Sequence, residues 1–294
     1  MGPTASGKSA LAMGVARALG DVELVSADSM QVYRGMDVGT AKPTPAERAE
    51  VPHHLLDVAD PDEDYSVARF QTEVAEVISG IEARGHRALV VGGTGLYVQA
   101  VVDGLALPGR WPEVRAELEA QPVGDLHRRL AAADPLAASR IEPGNVRRLV
   151  RALEVTVGSG RPFSSFGPGL GAYPPTWFRL AGVWLPREVV GARIVDRYAA
   201  QLAGGFLDEV GRLAARPVGL SRTARQALGY RELLDHLTGS CSLDHAIATA
   251  ISRTRQFARR QRSWFRRDPR ITWFGAPENP VDLLPALLGD WSIP

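Results

Sequence analysis

An α/β fold, a parallel sheet with helices on both faces and a mainly helical insertion, is predicted by three observations. The first is the opening stretch "MGPTASGKSAL", in which Gly2, Gly7, Lys8 and Ser9 match the spacing G-x-x-x-x-G-K-[ST]. In that motif backbone N–H groups cradle phosphates, the lysine reaches them and the hydroxyl ligates magnesium. The second is the alternation of apolar strand-like runs with helical periodicity up to about residue 106. The third is a change of texture at about Leu107, where helical segments separated by Pro and Gly take over until about Thr176. The expected division is therefore a first part of a P-loop NTPase-like core over 1–106, a helical insertion over 107–176, and the second part of the core over 177–294.

Taken in order, the elements begin with an absence. A phosphate loop is normally the turn between a buried strand and a helix, and this chain starts one residue before the motif. The first strand is expected to be missing, with the natural start roughly ten residues upstream, about one strand plus a short lead. Loss of a central strand would expose neighbouring strand edges and leave the loop unsupported, so the chain as given is expected to be impaired.

"GKSALAMGVARAL" then has helical periodicity with Gly20 as its stop, which places bound phosphate at a helix N-terminus. "VELVSAD" reads as a short buried strand ending at Ser26 and Asp28, "HHLLDV" as a weaker one, and "RALVVGGTG" as a strong one that breaks at Gly92 and Gly93. "YSVARFQTEVAEVISGIEARG" between them is an amphipathic helix closed by Gly85. "WPEVRAELEAQ", "GDLHRRLAAADPLAASRI" and "GNVRRLVRALEVTVGSG" are the helices of the insertion, and Arg161–Thr176 reads as a loop. "FRLAGVWL" returns to strand character and precedes a long amphipathic helix from about Arg187 to Ala215. In such sheets ligands sit at the carboxyl ends of the strands, where Asp28 and Thr94 fall.

Composition narrows the class. Hydrophobic content of 45%, charged content of 23% and a net charge of +1 exclude a globally basic nucleic-acid binder, so any such site is a local patch. No apolar run approaches the length of a membrane span and no signal-like leader is evident, which with the lone Cys241 gives a cytoplasmic expectation. The basic residues are arginines except for Lys8 and Lys42. Lys8 belongs to the phosphate loop, whereas Lys42 in "MDVGTAKP" reads equally as an exposed loop lysine or as a group near the phosphates.

Asp28 could ligate magnesium, act as general base toward an incoming nucleophile, or cap a turn. Thr94 and Gly95 in "GGTGLY" could meet an oxyanion with a hydroxyl and free N–H groups. The C-terminal stretch "ATAISRTRQFARRQRSWFRRDPR" interleaves Arg253, Arg255, Arg259, Arg260, Arg262, Arg266 and Arg267 with aromatic residues against one acid, Asp268. Such a face suits a polyphosphate backbone, and the alternative is a solvated helix docked by Phe257, Trp264 and Phe265.

"GPTASGKSALA", "SADSMQVYRGMDVGTAKP", "PHHLLD", "YSVARF", "VGGTGLYVQA", "RRLVRALEV" and "ARRQRSWFRR", in this order, resemble the bacterial tRNA dimethylallyltransferases, from Gly2 to about Phe274. The resemblance implies that dimethylallyl diphosphate gives its prenyl group to N6 of adenosine 37, beside the anticodon, and that diphosphate leaves with magnesium. It implies diphosphate contacts from Gly2, Thr4, Ala5, Ser6, Gly7, Lys8 and Ser9, with magnesium on Ser9 and Asp28. It casts Asp28 as the base on the adenine amine, Thr94 at the reacting centre, and Lys8 as an electrostatic catalyst. Asp28, Ser29, Met30, Gln31, Thr94, Arg115, Arg147, Arg148 and Arg151 match family positions that touch the tRNA anticodon stem-loop. Membrane contact is not implied, and a monomer is expected. In "SRTARQALGYRE" some members carry an arginine three residues before the glycine of "GY"; Gln226 stands there, so a diphosphate role falls to the adjacent Arg225.

Three other functions share parts of this pattern. A P-loop kinase for a small metabolite shares the loop, the strand-end Asp28 and the glycine turn, without explaining the insertion or the basic C-terminal helix. A non-catalytic RNA-binding protein that senses nucleotide shares the loop and the basic helix. Prenyl transfer to free adenine nucleotides shares the site, and the long basic segment favours a polymeric acceptor.

Overall fold

The structure, a computed structural model, describes residues 1–291. It divides into two units, Met1–Asp103 together with the chain from Pro175 onward, and Gly104–Pro174.

In the first unit α1 (Lys8–Leu19) is closed by Gly20, whose φ of 74° lets its N–H turn back to the Ala16 carbonyl. β1 (Val22–Ser26) is buried at every residue, as a strand covered on both faces must be. α2 (Pro45–Glu50) starts on a Thr44–Glu47 capping box, and β2 (His53–His54) follows it. The strand expected over "HHLLDV" ends early because Leu55 and Asp57 adopt φ of 59° and 57°, left-handed values that cannot continue a ladder. α3 (Val67–Ala83) is capped by Ser66 and leads into β3 (Arg87–Val91) and α4 (Gly95–Asp103). β2 and β3 both pair in parallel with β1, giving the order β2-β1-β3.

The second unit holds α5 (Pro112–Glu119), α6 (Val123–Ala133), α7 (Pro135–Arg140) and α8 (Val146–Ser159). Leu118, Leu126, Leu130, Leu149 and Leu153 are fully buried among them, one contiguous core at helical spacing. The Gly/Pro-rich stretch after α8 is irregular apart from one 3-10 turn, Phe163–Ser165, whose Ser164 donates from both N–H and hydroxyl to Asp134.

The first unit resumes with β4 (Ala181–Trp184) and α9 (Arg187–Ala203), then α10 (Phe206–Ala214), α11 (Tyr230–Leu237), α12 (Leu243–Phe265), β5 (Thr272–Gly275) and α13 (Leu284–Asp290). The single helix expected from Arg187 to Ala215 is in fact two: Gly204 and Gly205 interrupt it, Gly205 at φ 87°. β4 and β5 form a separate parallel pair. Among the described residues no strand precedes the phosphate loop, and Met1 occupies a single ladder position beside β4, donating to Ala181 O (2.7 Å) and accepting from Val183 N–H (2.9 Å). β3, paired on one edge only, is half-buried at all five residues, in contrast to β1. The loop is nevertheless held from its flanks, by contacts described below.

"SMQVYRGMDVGTAKP" folds into a loop wired from inside. Lys42 is buried and donates to Tyr33 O (2.5 Å), Asp37 Oδ1 (2.7 Å) and Asp57 Oδ1 (2.5 Å), which settles it as an internal tie of this loop. The Glu209 carboxylate, also buried, accepts the N–H groups of Asp37, Val38 and Gly39 and the Tyr230 hydroxyl (2.6 Å). Gln201 Nε2 completes the clamp on Val38 O (2.7 Å) and Gly39 O (2.9 Å). Removing Glu209 strands several donors away from water, whereas removing Lys42 leaves carboxylates that water can still reach. Glu209→Ala is therefore expected to destabilise by about 3–5 kcal/mol and Lys42→Met by about 1–3 kcal/mol, an order that urea denaturation checks.

Candidate functional site

The phosphate loop turns on two left-handed residues, Ala5 at φ 60° and Gly7 at φ 74°. Gly7 has no room for a side chain, since a Cβ there would lie 2.1 Å from Pro280. The turn aims the first-turn N–H groups of α1, which lack intrahelical acceptors, into the loop. That turn contains no acidic residue to occupy them, so an anion is the natural partner. Lys8 Nζ lies 3.4 Å from Pro3 O across the loop. Ser6 is fully buried with a hydroxyl that finds no protein partner, and Ser9 lies exposed at the mouth.

Two arginines one turn apart on α9 flank the same loop. Arg197 donates to Thr4 Oγ1 (3.1 Å), and the Arg193 guanidinium comes within 3.2 Å of where a Cβ on Gly7 would stand. Burial lowers the pKa of Arg197, with the Asp28 carboxylate opposing. Lys8, Arg193 and Arg197 thus gather around the helix terminus, with Asp28 acting electrostatically on both Lys8 and Arg197. A ligand with several negative charges is what this excess accommodates.

Asp28 lies two residues past the end of β1, and its Oδ1 accepts the Met30 N–H (2.9 Å), which leaves the other carboxylate oxygen for chemistry. Thr94 follows β3 and meets it: Thr94 Oγ1 accepts the Ser29 N–H (3.2 Å) and Thr94 N–H points to Ala27 O (3.4 Å). Gly92 makes this approach possible, because a Cβ there would lie 2.2 Å from Ala27 O. Gln31 accepts from Ser26 Oγ (2.9 Å) and donates to Thr40 O and Ala41 O (both 3.2 Å). The segment Asp28–Gln31 and Thr94 therefore form one half-buried face at the strand ends.

The remaining predicted residues lie on other elements. In the second unit Arg115 and Arg151 share the buried Glu154, each at 3.2 Å, and Arg151 also donates to Pro108 O and Gly109 O. Arg147 and Arg148 are exposed on α8. Arg225 lies exposed on the 3-10 turn Ala224–Gln226, and the guanidinium contact that the structure shows at the loop is that of Arg197. Arg255, Arg259 and Arg260 on α12, and Arg266 and Arg267 just past its end, are exposed, while Arg253 is committed to Glu232 (2.5 Å) and Arg262 lies over the Trp184 ring at 5.4 Å. Docking of α12 rests on Ala246, Ala250, Thr254, Ala258, Gln261 and Phe265, with Phe257 and Trp264 only half-buried.

Sequence reasoning missed Arg193, Arg197 and Gln261. The spacing in "ARIVDR" puts the two arginines on one helix face, and Gln261 falls on the buried stripe of α12, but neither pattern says that these faces meet the phosphate loop. A metal ion fits only with help from the ligand: among the described residues no group of three His, Cys, Asp or Glu side chains can hold one. The Ser9 hydroxyl and Asp28 carboxylate are hard oxygen donors of the kind magnesium takes together with phosphate oxygens.

Burial pushes the Lys8 ammonium down to about 8, Arg197 pushes the same way, and Asp28 opposes them. The lysine is charged below that value and neutral above it, so its contribution to anion affinity fades as pH rises through about 8. Diphosphate affinity by calorimetry between pH 7 and 9 should fall several-fold relative to Lys8→Met, a reference that cancels the titration of the ligand itself.

The IPP transferase family model matches residues 31–268 of this chain. A tRNA dimethylallyltransferase of Kineococcus radiotolerans is 50% identical over 294 residues, covering 96% of this chain and 92% of the relative. One of Geobacter metallireducens is 45% identical, covering 98% and 95%. The crystal structure of a full-length tRNA isopentenylpyrophosphate transferase from Bacillus halodurans superimposes with a TM-score of 0.71 at 38% identity, covering 99% of this chain and 93% of that one. A eukaryotic dimethylallyltransferase acting on tRNA superimposes with a TM-score of 0.81 at 26% identity, covering 98% and 77%. With a family match over most of its length and relatives of this identity along nearly the whole chain, the protein belongs to the IPP transferase family.

Proposed function

We propose that this protein transfers the dimethylallyl group of dimethylallyl diphosphate to N6 of adenosine 37 in tRNA, beside the anticodon, and releases diphosphate. The observation that carries the reading is the meeting, at one set of strand ends, of a cationic phosphate cradle with the Asp28 carboxylate and the Thr94 hydroxyl. The C–O bond between the allylic carbon and diphosphate breaks, and its electron pair leaves with the diphosphate. The N6–C bond forms, and the N6 proton passes to Asp28. Lys8, Arg197 and the α1 N–H groups face the oxygens on which charge grows, so they stabilise the transition state more than the ground state. Magnesium, held by Ser9 and Asp28 with the diphosphate oxygens, would add further charge neutralisation there.

An exocyclic amine is a weak nucleophile, so orientation and proton removal both contribute. The acceptor base must leave its stack to reach the site, which an anticodon loop permits at low cost. Ser29, Met30 and Gln31 border Asp28 and serve as contacts for that base. The exposed arginines of α8 and α12 supply phosphate contacts to the stem-loop. The protein works as a monomer in the cytoplasm; among the described residues no helix is long and apolar enough to cross a membrane.

Mass spectrometry of nucleosides from unmodified tRNA, incubated with the protein, magnesium and dimethylallyl diphosphate, tests the reading. The expected result is one prenyl mass on adenosine from the anticodon loop. Folded protein that yields no prenylated adenosine and instead turns over ATP with a small alcohol would overturn it in favour of a kinase.

A further inference from the structure

The leaving-group side and the acceptor side of the site are built on different elements, and one buried side chain touches both. Gln261 lies on the stripe of α12 that includes Thr254, Ala258 and Phe265, with 7% of its surface exposed. Its Oε1 accepts the Thr4 N–H of the phosphate loop at 2.8 Å, and its Nε2 donates to the Gly93 carbonyl at 2.7 Å. A backbone donor on one side and a backbone acceptor on the other fix the sense of the amide without ambiguity. The fit is close: a Cβ on Gly93 would lie 2.5 Å from Nε2, and one on Gly95 would lie 2.4 Å from the Trp264 ring. Both glycines are what allow α12 to reach bonding distance.

What Gln261 holds on each side is chemistry. Thr4 carries the hydroxyl that Arg197 contacts at 3.1 Å. Gly93 precedes Thr94, whose Oγ1 takes the Ser29 N–H at 3.2 Å, next to Asp28. One amide therefore links the diphosphate cradle to the base-bearing segment through a few covalent steps on either side.

We propose that Gln261 is a positioning residue that sets the separation between the diphosphate cradle and the Asp28–Thr94 face, an inference that rests on the proposed prenyl transfer. A carbon that moves from a phosphate oxygen to a nitrogen needs both ends at one spacing, and a misplacement of about 1 Å costs on the order of 100-fold in rate. Glutamine is suited to this span because its tip carries both a donor and an acceptor. Asparagine is one methylene too short, ionised glutamate lacks the donor, and methionine offers neither.

The test compares Gln261→Met and Gln261→Asn with the unsubstituted protein for kcat, for KM toward tRNA and dimethylallyl diphosphate, and for hydrogen exchange at the Thr4 amide. Expected are a kcat roughly 100-fold lower in both variants, a tRNA KM within about twofold, and faster Thr4 exchange. Folding is checked by circular dichroism and rates are taken per folded molecule. A lower melting temperature with kcat unchanged in whichever variant folds would reduce Gln261 to a structural tie and overturn the inference. A rise in tRNA KM at constant kcat would overturn it too, by making the residue a binding contact. If the unsubstituted protein transfers no prenyl group, the proposed function itself fails, which is a different result from equal rates in protein and variants.

Discussion

Asp28→Asn is expected to lower the rate of prenyl transfer by roughly 10²- to 10⁴-fold, the range that removal of a positioned general base typically costs. The substitution removes the charge, and with it proton acceptance and any pull on magnesium, while keeping the shape of the side chain. The Asp28 Oδ1 that receives the Met30 N–H has an equivalent in the amide oxygen of asparagine, so the turn after β1 keeps its hydrogen bond. Removed are the negative charge and the oxygen that would take the N6 proton. Single-turnover rates with saturating substrates and the melting temperature, measured side by side, distinguish the cases. A large loss of rate at constant melting temperature assigns Asp28 to the chemical step, whereas equal rates would leave it a turn residue and point to another base. The charge also acts on Lys8 and Arg197, so the variant should bind free diphosphate at least as well as the parent.

Which parts of this site could be read from the chain follows from how far apart the partners lie along it. The phosphate loop is local: its turn, lysine and helix start fall within one short segment, and the geometry of Ala5 and Gly7 follows from it. Asp28 and Thr94 were legible because each ends an apolar run that can only be a buried strand, and parallel pairing of β1 with β3 places both at the carboxyl end of the sheet. Arg197 and Gln261 were not, since their partner Thr4 lies 193 and 257 residues away and no periodicity encodes which helix crosses the loop. Lys42 illustrates an intermediate case: its scarcity marked it in the sequence, but its role depends on Asp57 arriving from beyond α2. The helix expected from Arg187 to Ala215 failed for a local reason that was available, two consecutive glycines at 204 and 205 in an otherwise periodic stretch. Arg115 and Arg151 carry the same lesson about charge: the buried Glu154 engages both, and the i,i+3 spacing announces its pair with Arg151 but not the one with Arg115, 39 residues away.

Lys8→Met and Arg197→Met are each expected to cost on the order of 10²- to 10³-fold in kcat, the loss seen when one donor to a developing anion is removed. Both groups face the phosphate loop, one from its own helix and one from α9, so each acts on the diphosphate from a different side. Charge on the bridging oxygen grows as the allylic bond breaks. The effect should therefore appear mainly in kcat, with a smaller rise in KM for dimethylallyl diphosphate, because a ground-state contact alone would raise KM and leave kcat intact. Arg197→Lys adds a geometric control. An ammonium restores the charge but cannot present the planar fork that reaches Thr4, so only partial rescue is expected. The double variant completes the cycle: two cations stabilising one leaving group should lose less together than the product of their separate losses, whereas strict multiplication would mean that they serve separate steps. Burial lowers the pKa of both cations in the free protein, and Arg197 lowers that of Lys8 further. Diphosphate bound there would supply the counter-charge and raise both pKa values, so proton uptake on diphosphate binding near pH 8, read from the buffer dependence of the binding heat, is the expected accompaniment.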